Sequence, residues 1–439
     1  MAIIGIDDTD SRTGGMCTTW IATEVSRRLA NSQVLAHVLV RLNPAIEHKT
    51  RGNGAVAIVT DGSVTQALDT TISVIDEYAV TDDPMTNPGV VVAESTGVST
   101  AFIEHARKAI REEVDLAKTK AMLADEAIES AERGMGRGLI GASAAIGAAV
   151  AMRSADTVDP LFTDTTWEWI AYREPSAWGT PRSVRVPDNG VGEFPPQAVW
   201  DTVDPVSGEA VCVPNSPCPV LFGIRGDDPS AVEAVGTRVE SEPVERATRF
   251  LTNQGTDAHL RPGAIGTFED GCSYRVRGTV TGSPETWEGG HVRFELSQCG
   301  ASIPCLAFAP TGRFRTHVRN LLLDDEIIAC GEVSRGSLKL EKFALCRRSL
   351  TEERTPRCSV CDRTMKSAGR GQGYRCRDCQ TSAPTKMTTA REHSLAPGWY
   401  EVPPGARRHL ATPIVRMPTE LPVFPTSSCH PLQNKETIN

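Results

Sequence analysis

The sequence predicts a multidomain chain of α/β and α+β class, and three observations carry that prediction. The chain opens with an apolar run, an acidic loop and an amphipathic stretch, in strand–loop–helix order. From about residue 270 to 345 apolar positions recur with period two in five short runs, the pattern of an all-β unit. Near the C-terminus four cysteines fall in two Cys-x2-Cys pairs. At 439 residues the chain has room for three or four domains of about 100–200 residues each.

In the opening segment, Ile3, Ile4 and Ile6 suit a buried strand that delivers Asp7, Asp8 and Asp10 at its end. Carboxylates this close repel, so a buried cluster needs a cation or an Arg/Lys partner to stay ionised. Oxygen-only ligands suit Mg²⁺. The Gly14-Gly15 turn brings bare backbone amides within reach of a phosphate. Thr18 and Thr19 then stand where a helix begins, with Ile21, Val25 and Leu29 at four-residue spacing beneath. A helix N-terminus favours phosphate. This order predicts a phosphoryl-transfer site, although a solvated turn followed by a threonine N-cap fits the same residues.

The following elements read as a helix near 19–30, a strand at 34–42, a loop through Asn43-Pro44 and 50–53, and a strand at 55–59. A helix near 63–79, a Pro/Asn-rich loop at 82–89 and a strand at 89–93 come next. Phe102, Ala106, Ala109, Ile110, Val114 and Ala117 form an apolar stripe that predicts one long helix over 101–132. Gly136, Gly138 and Gly141 spell G-x-G-x-x-G, but after a helix rather than a strand, so the dinucleotide-binding context fails. A closely packed or phosphate-touching helix start remains. Residues 167–171 predict a strand, and Arg173 and Arg182 flank the Trp178-Gly179-Thr180 turn. Residues 217–228 predict a strand with Arg225 at its end, and 252–257 a polar loop carrying Asn253. Both could face ATP or RNA phosphates, or be an ordinary strand end and turn.

The five runs at 274–280, 291–296, 302–310, 325–333 and 337–345, with a helical stretch at 313–322 after the third, predict an OB-fold β-barrel. Such barrels are common single-stranded nucleic-acid platforms and also serve as protein-interaction domains. Arg275, Arg277, Arg293 and Lys339 alternate with apolar neighbours, so one barrel face is expected to be basic. Cys358, Cys361, Cys376 and Cys379 match the spacing of a zinc ribbon, a closed and therefore structural Zn²⁺ site. Arg357, Arg363, Lys366, Arg370, Arg375 and Arg377 surround it as candidate phosphate contacts. Trp399, Tyr400, Arg407, Arg408 and His409 follow in a Pro-rich tail, and residues 417–439 are expected to be disordered.

Composition narrows the setting. A hydrophobic content of 40% and a charged content of 23% are ordinary for a globular protein. No apolar run approaches the ~18 residues of a membrane span, and no signal-peptide pattern opens the chain. Thirteen scattered cysteines with one regular group predict a reducing, cytoplasmic location. The net charge of −9 is unevenly distributed. Residues 346–416 hold 14 Lys+Arg against 6 Asp+Glu, a local +8, which leaves −17 on the rest. A basic end on an acidic body fits one nucleic-acid-binding region.

The segment IIGIDDTDSRTGGMCTTW (3–20), GRGLIG (136–141), IAYREPSAWGTPR (170–182), PCPVLFGIRGDDP (217–229), TNQGTDAHL (252–260), the four cysteines and GARRHLATP (405–413) occur in that order. Together they resemble the archaeal isoleucine-tRNA agmatinylcytidine synthetases, from Ile3 to about Arg416. His48 departs from the pattern, where an aromatic residue is expected. The resemblance implies a kinase-like domain at 1–125, a ferredoxin-like domain at 126–262 whose boundary with the first is open to interleaving, an OB-fold at 263–346, and a zinc ribbon with basic tail at 347–416. It also implies an ATP-dependent ligase that activates the wobble cytidine of an isoleucine tRNA (CAU anticodon) at carbon-2. Agmatine then replaces the oxygen, for AUA decoding, and AMP and phosphate are released. Asp7, Asp8 and Asp10 would hold Mg²⁺, and Thr18 matches the autophosphorylation position, with Thr19 its competitor. Gly14, Gly15, Arg225 and Asn253 would contact ATP; Arg275, Arg277, Arg363, Arg375, Arg407 and Arg408 would contact RNA. No obligate protein partner is expected. Two other classes fit parts of the chain: a Mg²⁺-dependent nuclease or phosphodiesterase, and a non-catalytic OB/zinc-ribbon RNA-binding protein.

Overall fold

Alternation along Ala2–Asp7 (β1) sends Ile3 to one layer of helices and Ile4 and Ile6 to the opposite layer, so this strand is covered on both faces. The computed structural model describes residues 1–29, 32–49, 52–186 and 192–421. Of the tail expected to be disordered, 422–439 lies outside the described residues. Next in order come α1 (Thr18–Arg28), β2 (Val34–Arg41), β3 (Gly54–Thr60), α2 (Val64–Tyr78), β4 (Gly89–Glu94), α3 (Thr100–Arg111), α4 (Leu116–Asp125), β5 (Glu129–Glu132) and α5 (Gly138–Arg153). Trp20, Ile21 and Val25 of α1 and Ala67, Val74 and Ile75 of α2 pack on one sheet face. Phe102, Ala106 and Ile110 of α3 pack with α5 on the other.

The long helix expected over 101–132 is three elements. Asp115 stops it, because its side chain accepts from the Lys118 backbone amide and caps a new helix, α4. Residues 129–132 then pair with β4 as an edge strand. Helix α5 is buried around almost its whole circumference, which its glycines and alanines permit. A methyl on Gly5 would lie 2.0 Å from the Ala142 carbonyl oxygen, so β1 and α5 touch backbone to backbone.

Beyond α6 (Pro160–Thr163), the chain adds β6 (Thr166–Arg173), β7 (Val184–Arg185), β8 (Val220–Gly226), β9 (Glu240–Ser241) and β10 (Val244–Thr252). The sheet runs β5-β4-β1-β3-β2-β10-β6-β8. Its two halves meet where β2 and β10 pair in parallel, Val38 opposite Leu251 and Leu39 opposite Thr252. A division between residues 125 and 126 therefore passes through a packed layer, since β5 and α5 sit on the N-terminal half of the sheet.

Strands β11 (Leu260–Pro262), β12 (Ser273–Thr286), β13 (Val292–Gln298), β14 (Ala301–Ala307), β15 (Glu326–Ser334) and β16 (Ser337–Arg347) follow. The order β12-β13-β14-β16-β15 closes through β15–β12 pairing, with β14 and β16 parallel. This is a closed five-stranded barrel. The helix Arg313–Arg319, after its third strand, inserts Phe314 and Val318 into the barrel core. The cysteine-bearing segment stands on a two-stranded stalk, Thr351–Arg354 with Met387–Ala390. Gly398–Glu401 then returns to pair with β16, and residues 404–416 run back across the sheet domain.

Asp257 joins these parts. Its carboxylate accepts from Lys342 Nζ of the barrel (2.7 Å), from Arg275 Nη2 (3.1 Å) and from the Thr412 backbone amide (2.7 Å). Burial opposes its ionisation, but the Lys342 and Arg275 charges outweigh it and hold Asp257 down at about 2. A depressed carboxylate stabilises the fold above its unfolded value near 4, and that contribution is lost as pH falls toward about 2. Asp257→Asn should therefore leave Lys342 buried without its counter-charge and destabilise the protein by about 3–5 kcal/mol. Denaturant unfolding across pH 2–7 checks this: the variant should also lose part of the wild-type acid limb.

Candidate active site

The acidic loop is positioned by close packing and hydrogen bonds. Asp8 adopts a left-handed backbone conformation (φ 57°), its amide donates to Asp7 Oδ1 at 2.7 Å, and its own Oδ2 accepts from the Asn87 amide at 3.1 Å. Helix α5 begins directly behind. A methyl on Gly138 would lie 2.6 Å from the Asp7 carbonyl oxygen, and one on Gly141 would lie 1.8 Å from Asp7 Oδ2. The G-x-G-x-x-G spacing thus serves close approach to the aspartates. Burial, then the neighbouring Asp8 charge, raises Asp7 well above the usual carboxylate range. Burial likewise raises Asp8 to about 6, against a hydrogen bond from Asn87 that favours its charge.

Thr18 is the first residue of α1, and its Oγ1 lies 3.0 Å from Thr9 Oγ1. Thr19 Oγ1 lies 3.0 Å from Cys17 Sγ. Both threonines, with Asp7, Asp8 and Asp10, line one cavity of about 910 Å³. The same lining carries Arg41 at the end of β2 and Arg225 on β8, both turned toward the buried Glu168 of β6. Arg225 Nε donates to Glu168 Oε1 at 2.9 Å, Arg41 Nη2 lies 3.6 Å from Oε2, and Gln254 Nε2 donates to Oε2. Burial opposes the Glu168 charge, but Arg225 and Arg41 prevail and hold it below its ordinary value. Burial, reinforced by Arg225, lowers Arg41. Two guanidiniums share one carboxylate in this part of the lining.

Several expected ligand contacts sit elsewhere. Gly14 and Gly15 do not line the cavity; the Gly14 amide donates to Ser11 Oγ, and the Ser11 amide donates to the Gly15 carbonyl. Their turn shapes the acidic loop. Asn253 is fully buried: its Oδ1 accepts from the Arg41 amide (2.7 Å) and its Nδ2 donates to the Arg41 carbonyl (3.0 Å). It pins the β2–β10 junction and so aims Arg41.

Four of the arginines expected to meet RNA are also internally engaged. Arg275 pairs with Asp257, and Arg277 with Glu326 at 2.8 Å. Arg407 lines the cavity, 5% exposed, clamped by Asp201 and by Glu401 at 2.7 Å. Arg408 pairs with Glu332 and Glu341. Arg363, paired with Asp378 at 2.5 Å, and Arg375 stand on the exposed cysteine segment. His409, expected to offer stacking or charge in the tail, is part of the lining; Arg41 and Glu168 were not among the expected residues, although Arg41 and Arg225 both follow an apolar strand run.

The sulfur atoms of Cys358, Cys361, Cys376 and Cys379 lie within 4.8 Å of one another. Backbone amides of Val360 and Cys379 donate to the sulfurs of Cys358 and Cys376, as in metal-binding knuckles. Four converging sulfurs fit a tetrahedral Zn²⁺ and leave no open coordination position. Around them three two-residue strands and an Arg357–Thr364 bridge pair over a small cluster of Met365, Tyr374 and Ala383. One equivalent of zinc should co-purify with the protein, and Cys376→Ser should release it; elemental analysis finding iron or no metal would overturn this.

Residues 3–65 match the TiaS TCKD domain, 136–259 the TiaS FLD domain and 355–395 the TiaS C-terminal zinc ribbon domain. The isoleucine-tRNA 2-agmatinylcytidine synthetase TiaS of Haloquadratum walsbyi is 44% identical, over 97% of this chain and all of that protein. A solved complex of TiaS with its isoleucine tRNA and ATP superposes with a TM-score of 0.82 at 40% identity, covering 95% of this chain and 98% of that one. A complex of TiaS with the same tRNA, AMPCPP and agmatine superposes with a TM-score of 0.79 at 36% identity, covering 95% and 97%. With three domain matches in the same order and identity sustained over nearly the full length, this chain belongs to the TiaS family.

Proposed function

We propose that this chain is an ATP-dependent, cytoplasmic tRNA-modifying ligase. It activates the wobble cytidine of an isoleucine tRNA at carbon-2 and installs agmatine there. The observation that carries the reading is one cavity lined by Asp7, Asp8, Asp10 and Thr18 together with Arg41 and Arg225. Its family setting supports the substrates: solved relatives are complexes with an isoleucine tRNA, with ATP, and with an ATP analogue and agmatine together.

The chemistry is coherent. An amide-like oxygen leaves poorly until it carries a phosphoryl group. The cytidine C2 oxygen takes a phosphoryl group from ATP, the agmatine amine nitrogen bonds to C2 as it loses a proton, and the C2–O bond breaks to release that oxygen in phosphate; hydrolysis of the second phosphoanhydride bond leaves AMP and a second phosphate. The target base must leave the anticodon stack to enter the cavity. Arg41 and Arg225 attract phosphate oxygens, and Thr18, at a helix N-terminus, is placed to accept a phosphoryl group. Asp7 and Asp8 would hold Mg²⁺. Their donor set is oxygen only, and their burial disfavours charge without a cation. Bound there, Mg²⁺ would screen the phosphates.

The ranges 1–125, 126–262, 263–346 and 347–416 serve, in this reading, as kinase-like, ferredoxin-like, OB-fold and ribbon-plus-tail units. Arg363 and Arg375 are the predicted arginines left at the ribbon surface for RNA phosphates. Among the described residues no helix is long and apolar enough to cross a membrane.

Incubation of pure protein with the tRNA, labelled ATP and labelled agmatine tests the reading. Amine incorporation that requires ATP supports it; RNA cleavage without ATP, or tRNA binding with no turnover, would replace it. Thr18→Ala should lower modification by on the order of a hundredfold or more while tRNA binding and melting temperature persist. Mass spectrometry after ATP treatment should find phosphate on Thr18, and phosphate on Thr19 alone would refute the assignment.

A further inference from the structure

Two blocks far apart in the sequence are zipped together at the cavity. The Gly255 amide donates to the His409 carbonyl and the Asp257 amide to the Leu410 carbonyl, each at 2.8 Å. Arg416 closes the strap, donating to Asp227 Oδ1 at 2.7 Å and to Asp164 Oδ1 at 2.8 Å. Residues 404–416 are therefore held as a wall of the cavity, into which Pro404, Arg407 and His409 project.

We propose that His409 is a ligand-binding residue that, together with Arg41, grips a phosphoryl group of the nucleotide. The inference rests on the ATP-dependent reading above and adds to it a contact from the C-terminal strap. Three observations favour an anion. First, His409 Nδ1 is buried and has no hydrogen-bond partner among the described residues. A buried ring nitrogen left so is costly until a ligand or water supplies the partner. Second, the ring sits against Arg41. A methyl on Gly52 would lie 2.9 Å from His409 Nε2 and 2.8 Å from Arg41 Nη1, so all three share one corner. Third, Arg407 is neutralised by Asp201 and Glu401, and Glu168 is already shared by Arg225, Arg41 and Gln254.

The charge at this corner belongs to guanidiniums, which repel an ammonium or guanidinium ligand and attract a phosphate. Burial, then the Arg41 and Arg225 charges, keeps the imidazole neutral in the absence of ligand. With its Nε2 edge toward Arg41, the neutral imidazole can carry its proton on the unpartnered Nδ1 and donate it to one phosphate oxygen while Arg41 donates to another. His409 then adds a directed hydrogen bond where more charge would be repelled.

Calorimetric titration with ATP and with inorganic tripolyphosphate, on wild type, His409→Ala and His409→Asn, tests the proposal. His409→Ala should weaken both ligands about tenfold. His409→Asn, which keeps an N–H donor, should recover part of the loss. In steady-state assays the KM for ATP should rise while the KM for agmatine stays within about twofold. Melting curves separate a purely structural role. If both variants bind ATP and tripolyphosphate as tightly as wild type, whatever their stability, the proposal is overturned. It is equally overturned if the agmatine KM moves and that for ATP does not. If wild type itself binds no ATP, the ATP-dependent reading fails first and this inference falls with it.

Discussion

Two aspartates side by side at the buried end of a central strand set the terms for the rest of the site. Asp7 and Asp8 cannot both be ionised there without nearby positive charge. The fold provides part of that compensation through backbone. Asn87 donates its amide to Asp8, and the N-terminus of α5, with its partial positive charge, abuts Asp7. Only glycine at 138 and 141 permits that approach. The Arg41–Glu168–Arg225 group lines the same cavity. In the proposed reading this cavity would take a nucleotide and its cation, the phosphates drawn to the arginines and the metal to the aspartates.

That arrangement is assembled from distant parts of the chain. The aspartates come from β1 and the loop after it, Arg41 from β2, Glu168 from β6, Arg225 from β8 and His409 from the returning strap. The parallel β2–β10 pairing puts the two halves of the sheet in register, and Asn253 at that seam fixes the Arg41 backbone. Asp257, just past the end of β10, fastens the barrel and the strap to the same seam. The barrel and the strap are thereby anchored beside the cavity. This suits an enzyme that must hold a large RNA and present one base.

Much of this was legible in the sequence. Period-two runs located all five barrel strands, and the helix after the third strand identified the topology. The cysteine spacing located the metal centre, and the order of strand, aspartates and threonine located the acidic wall. What stayed hidden is pairing between residues far apart in the chain. Arg275, Arg277, Arg407 and Arg408 read as RNA contacts because composition shows their charge, while Asp257, Glu326, Glu401 and Glu332, which occupy them, lie far away or face them only after folding. Asn253 and Gly14 read as ligand contacts for the same reason, their partners being invisible until the loops close. The helix predicted across 101–132 failed at a local signal that the apolar stripe masked: Asp115 is an N-cap.

In the proposed reading ATP affinity would depend on a divalent cation, because without it the triphosphate shares its cavity with three aspartates. Titration of ATP into metal-free protein, with and without added Mg²⁺, measures this directly. Binding that is strong with Mg²⁺ and weak or absent after chelation is the predicted result. Equal ATP affinity in the two conditions would contradict the assignment of the acidic loop to the cation and, with it, the account of the site.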